Sequence, residues 1–468
     1  MNTVATMHTS VNAGFHDVVE PFLQQPGLPF AEVLSAEDIK QAFAERDALF
    51  ATDAVFSTSI VLWAFLAQVL RDGKGAACAA AVADIATYTR QIERRPPSGD
   101  TGDYCRARAK LDPAALRTLV RQAAGELDHQ ARPDWLWHGR HAKLVDGFTF
   151  TMPDTPENQD AFPQQTNQAP GVGLPIARAC AVLSLATAAV HDLAIGPYQG
   201  KQTGETALLR DILDCLDAGD VVVFDRYYCS FMMLALLQLR GVDVCTRLHQ
   251  CRTSDFRRGR RLGDHDHLVT WTRPKRPEWM SQEQYEQIPE TLTLRELQFD
   301  VTVPGRRVET ITVITTLTDP EAHPKEDIAA LYGYRWNAEL DIRDIKQTLG
   351  LDHAHCKSPE MVLRELWVTL LAYNLIRKVI ATAAAVHDKQ PRQLGFTLAC
   401  QTILSSWMLL STGACRDVEQ TVHSALKRIA ANEVANRPGR IEPRVLKRRR
   451  HRYPLMARPR DQLREELV

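Results

Sequence analysis

Residues 221–225, VVVFD, constrain this chain more than any other short segment. A fully apolar, β-favouring run between a Gly-Asp pair and a closing acid reads as a short strand buried on both faces. Such strands lie at the centre of α/β sheets. The neighbouring segments supply the rest of a sheet. KLVDGFTFTM (143–152) is rich in β-branched and aromatic residues and reads as a strand. Residues 175–196 read as two strands with a short turn, 203–220 as an amphipathic helix ending near Gly219, 230–241 as a helix and 242–248 as another strand. That order predicts a mixed α/β sheet.

Helical segments flank this region. Residues 30–130 read as helices, with a loop at 95–104 and no strand-like alternation; Ser35 is placed as one helix N-cap, and Asp112 with Pro113 as the cap and first turn of another. The most apolar stretch, 54–70, carries Ser57, Thr58, Ser59 and Gln68 and is short for a membrane span, so it is expected to be a buried core helix. Residues 250–320 read as a β-rich insertion with a basic loop. Residues 325–350 read as one long helix stopped by Gly350, with further helices after it. The expected division is a helical N-terminal domain (1–132), a first core part (133–249), the insertion (250–320), a second core part (321–390), and C-terminal helices with a basic tail (391–468).

Composition removes whole classes. Across 468 residues, 45% hydrophobic and 24% charged content is ordinary for a globular protein and excludes disordered or fibrous chains. Ten cysteines without a C-x-x-C pair read as reduced, mostly buried thiols of a cytoplasmic protein. No signal peptide is evident and no membrane is expected. Cys245, His249, Cys251, His265 and His267 match no standard zinc spacing. The 56 Lys+Arg against 57 Asp+Glu give a net charge of −1, which by itself does not suggest a nucleic-acid partner. The basic residues are clustered, however: 437–460 holds ten Lys/Arg and one acid.

Three acids stand out. Asp146 lies in an otherwise apolar strand, and Asp225 ends the buried one, a common place for a ligand or catalytic group. At 100° per residue, Tyr332, Arg335, Glu339 and Lys346 would share one face of the 325–350 helix, joined by Arg343 and opposite Asp341. Single strand-end acids often only cap a turn, and Arg335–Glu339 is also an ordinary i,i+4 pair. Three separated acids nevertheless suit a two-metal phosphoryl-transfer site, with a basic and tyrosyl face to hold DNA phosphates.

The string LYGYRWNAELDIRDIK contains Tyr332-x2-Arg335-x3-Glu339-x6-Lys346. With VDGFTFTMPDTPENQ, GDVVVFDRYY, GLDHAHCKSPE and LLAYNLIR, it resembles the DDE transposases of bacterial insertion sequences, family four, whose signature is YREK. The resemblance spans roughly residues 30–430. It implies an RNase H-like catalytic core, with the first acid on the first strand, the second after the fourth, and the Glu on the helix that follows the insertion. It implies that Asp146, Asp225 and Glu339 bind two Mg2+ ions, Mn2+ being an acceptable substitute, while Tyr332, Arg335 and Lys346 hold phosphates. The implied reaction is cut-and-paste transposition: nicking at the inverted-repeat ends, a hairpin intermediate, and strand transfer to target DNA. The implied assembly is a homodimer on DNA, associated with the bacterial nucleoid, with the N-terminal domain on the terminal repeats.

Further DNA-contact candidates are Arg226 and the loop residues Arg252, Arg257, Arg258, Arg260 and Arg261. Relatives use an insertion-domain Trp to stack on a flipped base. Trp271 and Trp279 are the candidates, and either could instead pack the insertion's core. Two alternatives are a structure-specific nuclease without strand transfer and a catalytically silent DNA-binding protein derived from a transposase.

Overall fold

The computed structural model describes residues 36–46, 48–50, 54–91, 95–301, 309–411, 417–434 and 456–466. The Ser35 cap and most of the basic tail lie outside the described residues. The chain divides into two units, one drawn from Met1–Trp135, Ala186–His191 and Arg343–Val434, the other from Leu136–Leu185, Asp192–Ile342 and Ala435–Val468.

The first unit is built on helices. Its centre is the 28-residue helix Pro359–Val386, which packs on Pro113–His129, Thr58–Val69, Phe396–Ser411 and Val418–Ala431. Pro359–Val386 is long and apolar enough to cross a membrane, but 89% of its apolar window is buried inside the protein. Thr58–Val69, within the 54–70 stretch, is a buried core helix with Ser57 as its cap. Asp112 caps Pro113–His129 by accepting from the Ala114 and Ala115 amides, as the sequence indicates. One departure from expectation is small: a helix starts already at Gly102, inside the expected loop.

Buried polar groups fix how this unit packs. Asn374 donates from Nδ2 to the Val120 and Val190 carbonyls (3.1 and 2.9 Å), and its Oδ1 accepts from the Val190 amide (2.8 Å). Glu365 is similarly used. It accepts from the His355 and Cys356 amides (2.9–3.0 Å) and pairs with His355 Nδ1 (2.9 Å), so the 353–356 loop is pinned with Cys356 buried while His355 stays exposed.

The second unit holds one nine-stranded sheet among the described residues: β1 (Ala142–Thr151), β2 (Ile176–Ser184), β3 (Val190–Pro197), β4 (Val221–Phe224), β5 (Asp243–Arg247), β6 (Arg260–Gly263), β7 (Asp266–Thr272), β8 (Thr291–Val301) and β9 (Glu309–Thr315). Their order is β3-β2-β1-β4-β5-β9-β8-β7-β6. β1 pairs antiparallel with β2 and parallel with β4, and β4 is parallel to β5. All four β4 residues are buried, as a central strand requires. The β-rich 250–320 segment does not form a separate sheet: β9 joins β5 antiparallel and carries β8, β7 and β6 onward. A core of Val145, Val182, Val222, Phe224, Leu234, Val244 and Leu294 runs through this unit.

Two expected helices are shorter than the periodicity suggested. The 203–220 segment forms only Glu205–Arg210 and a 3-10 turn, Leu213–Cys215; Asp211, Asp214 and Asp217 are poor helix formers, and the Asp217 amide is taken by Asp220 Oδ2 at 3.1 Å. The 325–350 segment is not one helix. It runs as Lys325–Gly333, then Trp336–Arg343, then a π-helical turn Asp344–Thr348. Glycine costs about 1 kcal/mol in a helix interior, and the break falls just after Gly333. There Arg335, Asn337 and Ala338 bond only three residues back. The segment stops at Gly350 as expected, with φ at 74°.

Candidate active site

The sheet sets the first two acids side by side. The parallel pairing joins Ala142 to Val221, Lys143 to Val222 and Leu144 to Val223. Carried two residues further, this register puts Asp146 level with Asp225. β4 ends at Phe224, so beyond it β1 continues with β2 as its partner on one side only. The two carboxylates therefore stand where the parallel pairing of β1 with β4 ends, at the carboxyl end of β4 and midway along β1. Asp225 also caps the turn Arg226–Tyr228, its Oδ1 accepting from the Tyr227 amide at 2.8 Å, and its carbonyl accepts from Thr246 Oγ1 at 3.0 Å.

Glu339 arrives from the short helix Trp336–Arg343. Arg335 Nη2 donates to Glu339 Oε1 at 2.8 Å, and Arg335 Nη1 lies 3.9 Å from Asp146 Oδ2. One guanidinium thus spans two of the three acids. Burial works against the Arg335 charge, but the Glu339 hydrogen bond and the nearby Tyr332, Asp146 and Glu339 outweigh it and hold its pKa above the ordinary arginine value.

Asp146 carries the clearest electrostatic signature. Its pKa is pushed up to about 6. Burial is the main cause, with Glu339 and Asp225 adding repulsion; the Gly147 amide, at 2.9 Å, and Arg335 act the other way. A carboxyl that feels both other acids against a single cation is a functional-site signature. Tyr332 is buried, and burial raises its phenol to about 12, so it stays a neutral hydrogen-bonding group near Arg335 and Arg247.

Oxygen-only donors and an excess of carboxylate over cationic charge fit a hard divalent cation. Among the described residues no group of three or more His, Cys, Asp or Glu is gathered closely enough to hold a metal ion. The Arg335 bridge occupies the charge-neutralising role between Asp146 and Glu339.

The expected common face of Tyr332, Arg335, Glu339 and Lys346 is not realised as drawn. The break after Gly333 and the π-helical turn change the angular step, since a π turn adds a residue. Lys346 lies in that turn and belongs to the first unit, while the other three belong to the second. Asp341, placed on the far face, is buried.

The remaining candidates fall into two groups. Arg226, Arg252, Arg257, Arg258, Arg260 and Arg261 are exposed. Asp255 pairs with Arg257 and Arg258 at 2.8 and 3.3 Å, and Arg261 Nε donates to the Gly263 carbonyl. Gly259, at the centre of this loop, has φ of 77°, and a Cβ there would overlap the Leu268 carbonyl oxygen, so the tight turn that presents the arginines needs glycine. The tryptophans are less available. Trp271 is 7% exposed, lies in the core and has Arg252 stacked over its ring at 3.6 Å. Trp279 is half-buried against the same core beneath Arg210, at 3.9 Å.

Sequence reading missed Glu205. Its carboxylate accepts from the Tyr228 hydroxyl at 3.2 Å and lies against Gly147, next to Asp146. The preceding Thr-Gly marks a helix start and nothing more. It also missed the exposed aromatics Tyr227, two residues after Asp225, and Tyr334 and Trp336, which flank Arg335.

Comparison with known proteins identifies the family. The family model described as the transposase DDE domain matches residues 137–375, more than half the chain. Over 353 residues the chain is 28% identical to the transposase InsG of insertion sequence element IS4 from Escherichia coli (strain K12), covering 74% of this chain and 76% of that one. Among solved structures, the piggyBac transposase synaptic complex with hairpin DNA is similar at a TM-score of 0.41 and 11% identity, covering 89% of this chain and 86% of that one. The chain belongs to the DDE transposase family, enzymes that cleave DNA and transfer its strands.

Proposed function

We propose that this DNA transposase moves a family-four insertion sequence by cut and paste, using Asp146, Asp225 and Glu339 as its metal-binding acids. The observation that carries this reading is the level placement of Asp146 and Asp225 on parallel strands, with Arg335 joining Asp146 to Glu339. The strand order β3-β2-β1-β4-β5, with β1 and β2 antiparallel and β1, β4 and β5 parallel, supports an RNase H-like core. Two Mg2+ ions, or Mn2+, would supply activation of the attacking oxygen and charge neutralisation at the phosphate.

The chain's own residues orient the DNA. Arg335 and the neutral Tyr332 hold phosphate oxygens beside the cleaved bond, and Lys346 adds a point charge. Arg226 and the loop arginines Arg252, Arg257, Arg258, Arg260 and Arg261 grip the backbone further along. The hairpin step needs a base to leave the stack, and Trp279, half-exposed, is better placed to receive it than the buried Trp271. The helical residues of 1–132 bind the terminal repeats, and two copies bridge the two ends and engage target DNA. The five-part division at 132, 249, 320 and 390 remains our proposed functional map.

The test is incubation with Mg2+ and DNA carrying the inverted repeats that flank the gene. Nicks with 3′-OH ends, joined products, and their loss in Asp225→Asn and Glu339→Gln are expected. Unchanged cleavage by either variant overturns the residue assignment. Nicking without joined products favours a structure-specific nuclease instead.

A further inference from the structure

Glu205 lies where three parts of the site meet. It opens the helix Glu205–Arg210, yet its side chain does not serve that helix. It leans on Gly147, where an added Cβ would stand 2.6 Å from its Cγ and overlap its carboxyl group. It also receives the Tyr228 hydroxyl at 3.2 Å. Gly147 follows Asp146 directly, and Tyr228 closes the turn that Asp225 caps. Tyr228 is fully buried and meets Cys180 Sγ of β2 at 3.5 Å, so this contact is anchored in the core.

The charges around Glu205 point the same way. Burial raises its pKa above the ordinary glutamate value, Asp225 adds to the rise, and Tyr228 and Arg178 oppose it. A half-buried acid that feels another acid, Asp225, persists where it has a structural or functional use. Gly147 is then explained as well: it leaves room for this carboxylate against the strand that carries Asp146.

The geometry points to Glu205 as a positioning residue that braces the strand of Asp146 at Gly147 and the turn of Asp225 at Tyr228, fixing the spacing of the two acids. This rests on reading Asp146 and Asp225 as the metal-binding pair. Side chains that hold ligands in place, without touching the metal, commonly change affinity or activity by about 10–100-fold when removed.

The experiment uses the full chain and four variants: Glu205→Ala, Glu205→Gln, Gly147→Ala and the double variant Gly147→Ala/Glu205→Ala. Four quantities are read: single-turnover nicking, Kd for end DNA in EDTA, Tm, and Mg2+ affinity from the dependence of Tm on Mg2+. Glu205→Ala is expected to slow nicking by about tenfold and to weaken Mg2+ by a similar factor, with DNA Kd unchanged. Glu205→Gln keeps the acceptor and the shape and is expected to recover most of both. Gly147→Ala pushes the flexible Glu205 side chain off its contacts, so the double variant should be no slower than Glu205→Ala.

Unchanged Mg2+ affinity in Glu205→Ala overturns the proposal. So does a Gln variant as slow as Ala, which would assign the effect to charge, or a double variant whose loss is the product of the singles. If Glu205→Ala does not fold, the Gln variant and Gly147→Ala still decide. An active Asp146→Asn protein would instead overturn the underlying assignment of the acids.

Discussion

The guanidinium of Arg335 lies 3.9 Å from the carboxylate of Asp146, joining a residue at a helix break to one in the middle of a strand. It is an internal counter-ion for a site otherwise overfilled with negative charge. Replacing it should therefore alter the proton affinity of the acid as well as the grip on DNA. Arg335→Ala is expected to raise the Asp146 pKa above about 6 and to shift the acid limb of the nicking pH profile upward. The rate at neutral pH should fall at least about tenfold, roughly 1.4 kcal/mol. An unmoved acid limb would show that Arg335 acts on DNA alone.

Asp146 should cost the metal-free fold stability. Its folded pKa of about 6 lies above the ordinary aspartate value of 3.8, so the folded state holds a proton in that window that the unfolded chain has released. Stability from this group is present at low pH and is lost as pH rises from about 4 through 6. The full difference is on the order of 3 kcal/mol. Asp146→Asn, dead in cleavage, is expected to raise the Tm in EDTA at pH 7, with the gain vanishing near pH 4. Melting curves at the two pH values check this.

Glu365 is held below the ordinary glutamate value: burial pushes it up, but the His355 side chain and the His355 and Cys356 hydrogen bonds overcome that. His355 is raised by the same partner. The Glu365 contribution is present above about pH 4.3 and lost as pH falls through its depressed folded pKa. The His355 contribution is present below about pH 6.5 and lost as pH rises through its raised folded value. Glu365→Ala strands two backbone amides and is expected to cost about 2–3 kcal/mol, most between those two values. Denaturant unfolding as a function of pH measures it.

The loop arginines should act through phosphate alone. Changing Arg257, Arg258, Arg260 and Arg261 together to Ala is expected to flatten the salt dependence of end-DNA binding by up to about four units of slope. The nicking rate at saturating DNA should change little. Gly259→Ala should reproduce part of the affinity loss without removing any charge, because it spoils the turn that presents them.

Trp271 and Trp279 should separate by stability. Trp271→Ala removes a core side chain and is expected to cost about 3–5 kcal/mol. Trp279→Ala should cost less and, if it receives a flipped base, slow hairpin formation specifically. Gel analysis of nicked and hairpin products distinguishes the two effects.

Local pattern carried the acids. Asp146 and Asp225 are legible because each interrupts an apolar β-favouring run, and that interruption is visible without knowing the strand pairing. What failed was continuity. Apolar periodicity persists across Gly333, so the chain reads as one helix, whereas the backbone changes its hydrogen-bond step twice between Tyr332 and Thr348. Lys346 was accordingly placed by an angle that the π turn alters. Glu205 was hidden for another reason: its meaning depends on a contact with Gly147, far away in the chain, and no spacing encodes it. The burial of Trp271 is likewise a product of packing.

The insertion's strands continue the core sheet through β9, so the arginine hairpin and the strands that carry Asp146 and lead to Asp225 belong to one hydrogen-bonded sheet. From β4 to β6 there are five strand steps, and at about 4.8 Å each they span roughly 24 Å. That length is close to seven base pairs of duplex at about 3.4 Å per pair. If the loop arginines hold the backbone as proposed, the sheet acts as a ruler that sets their distance from the scissile phosphate, and a footprint on end DNA should show that interval whatever the base sequence between.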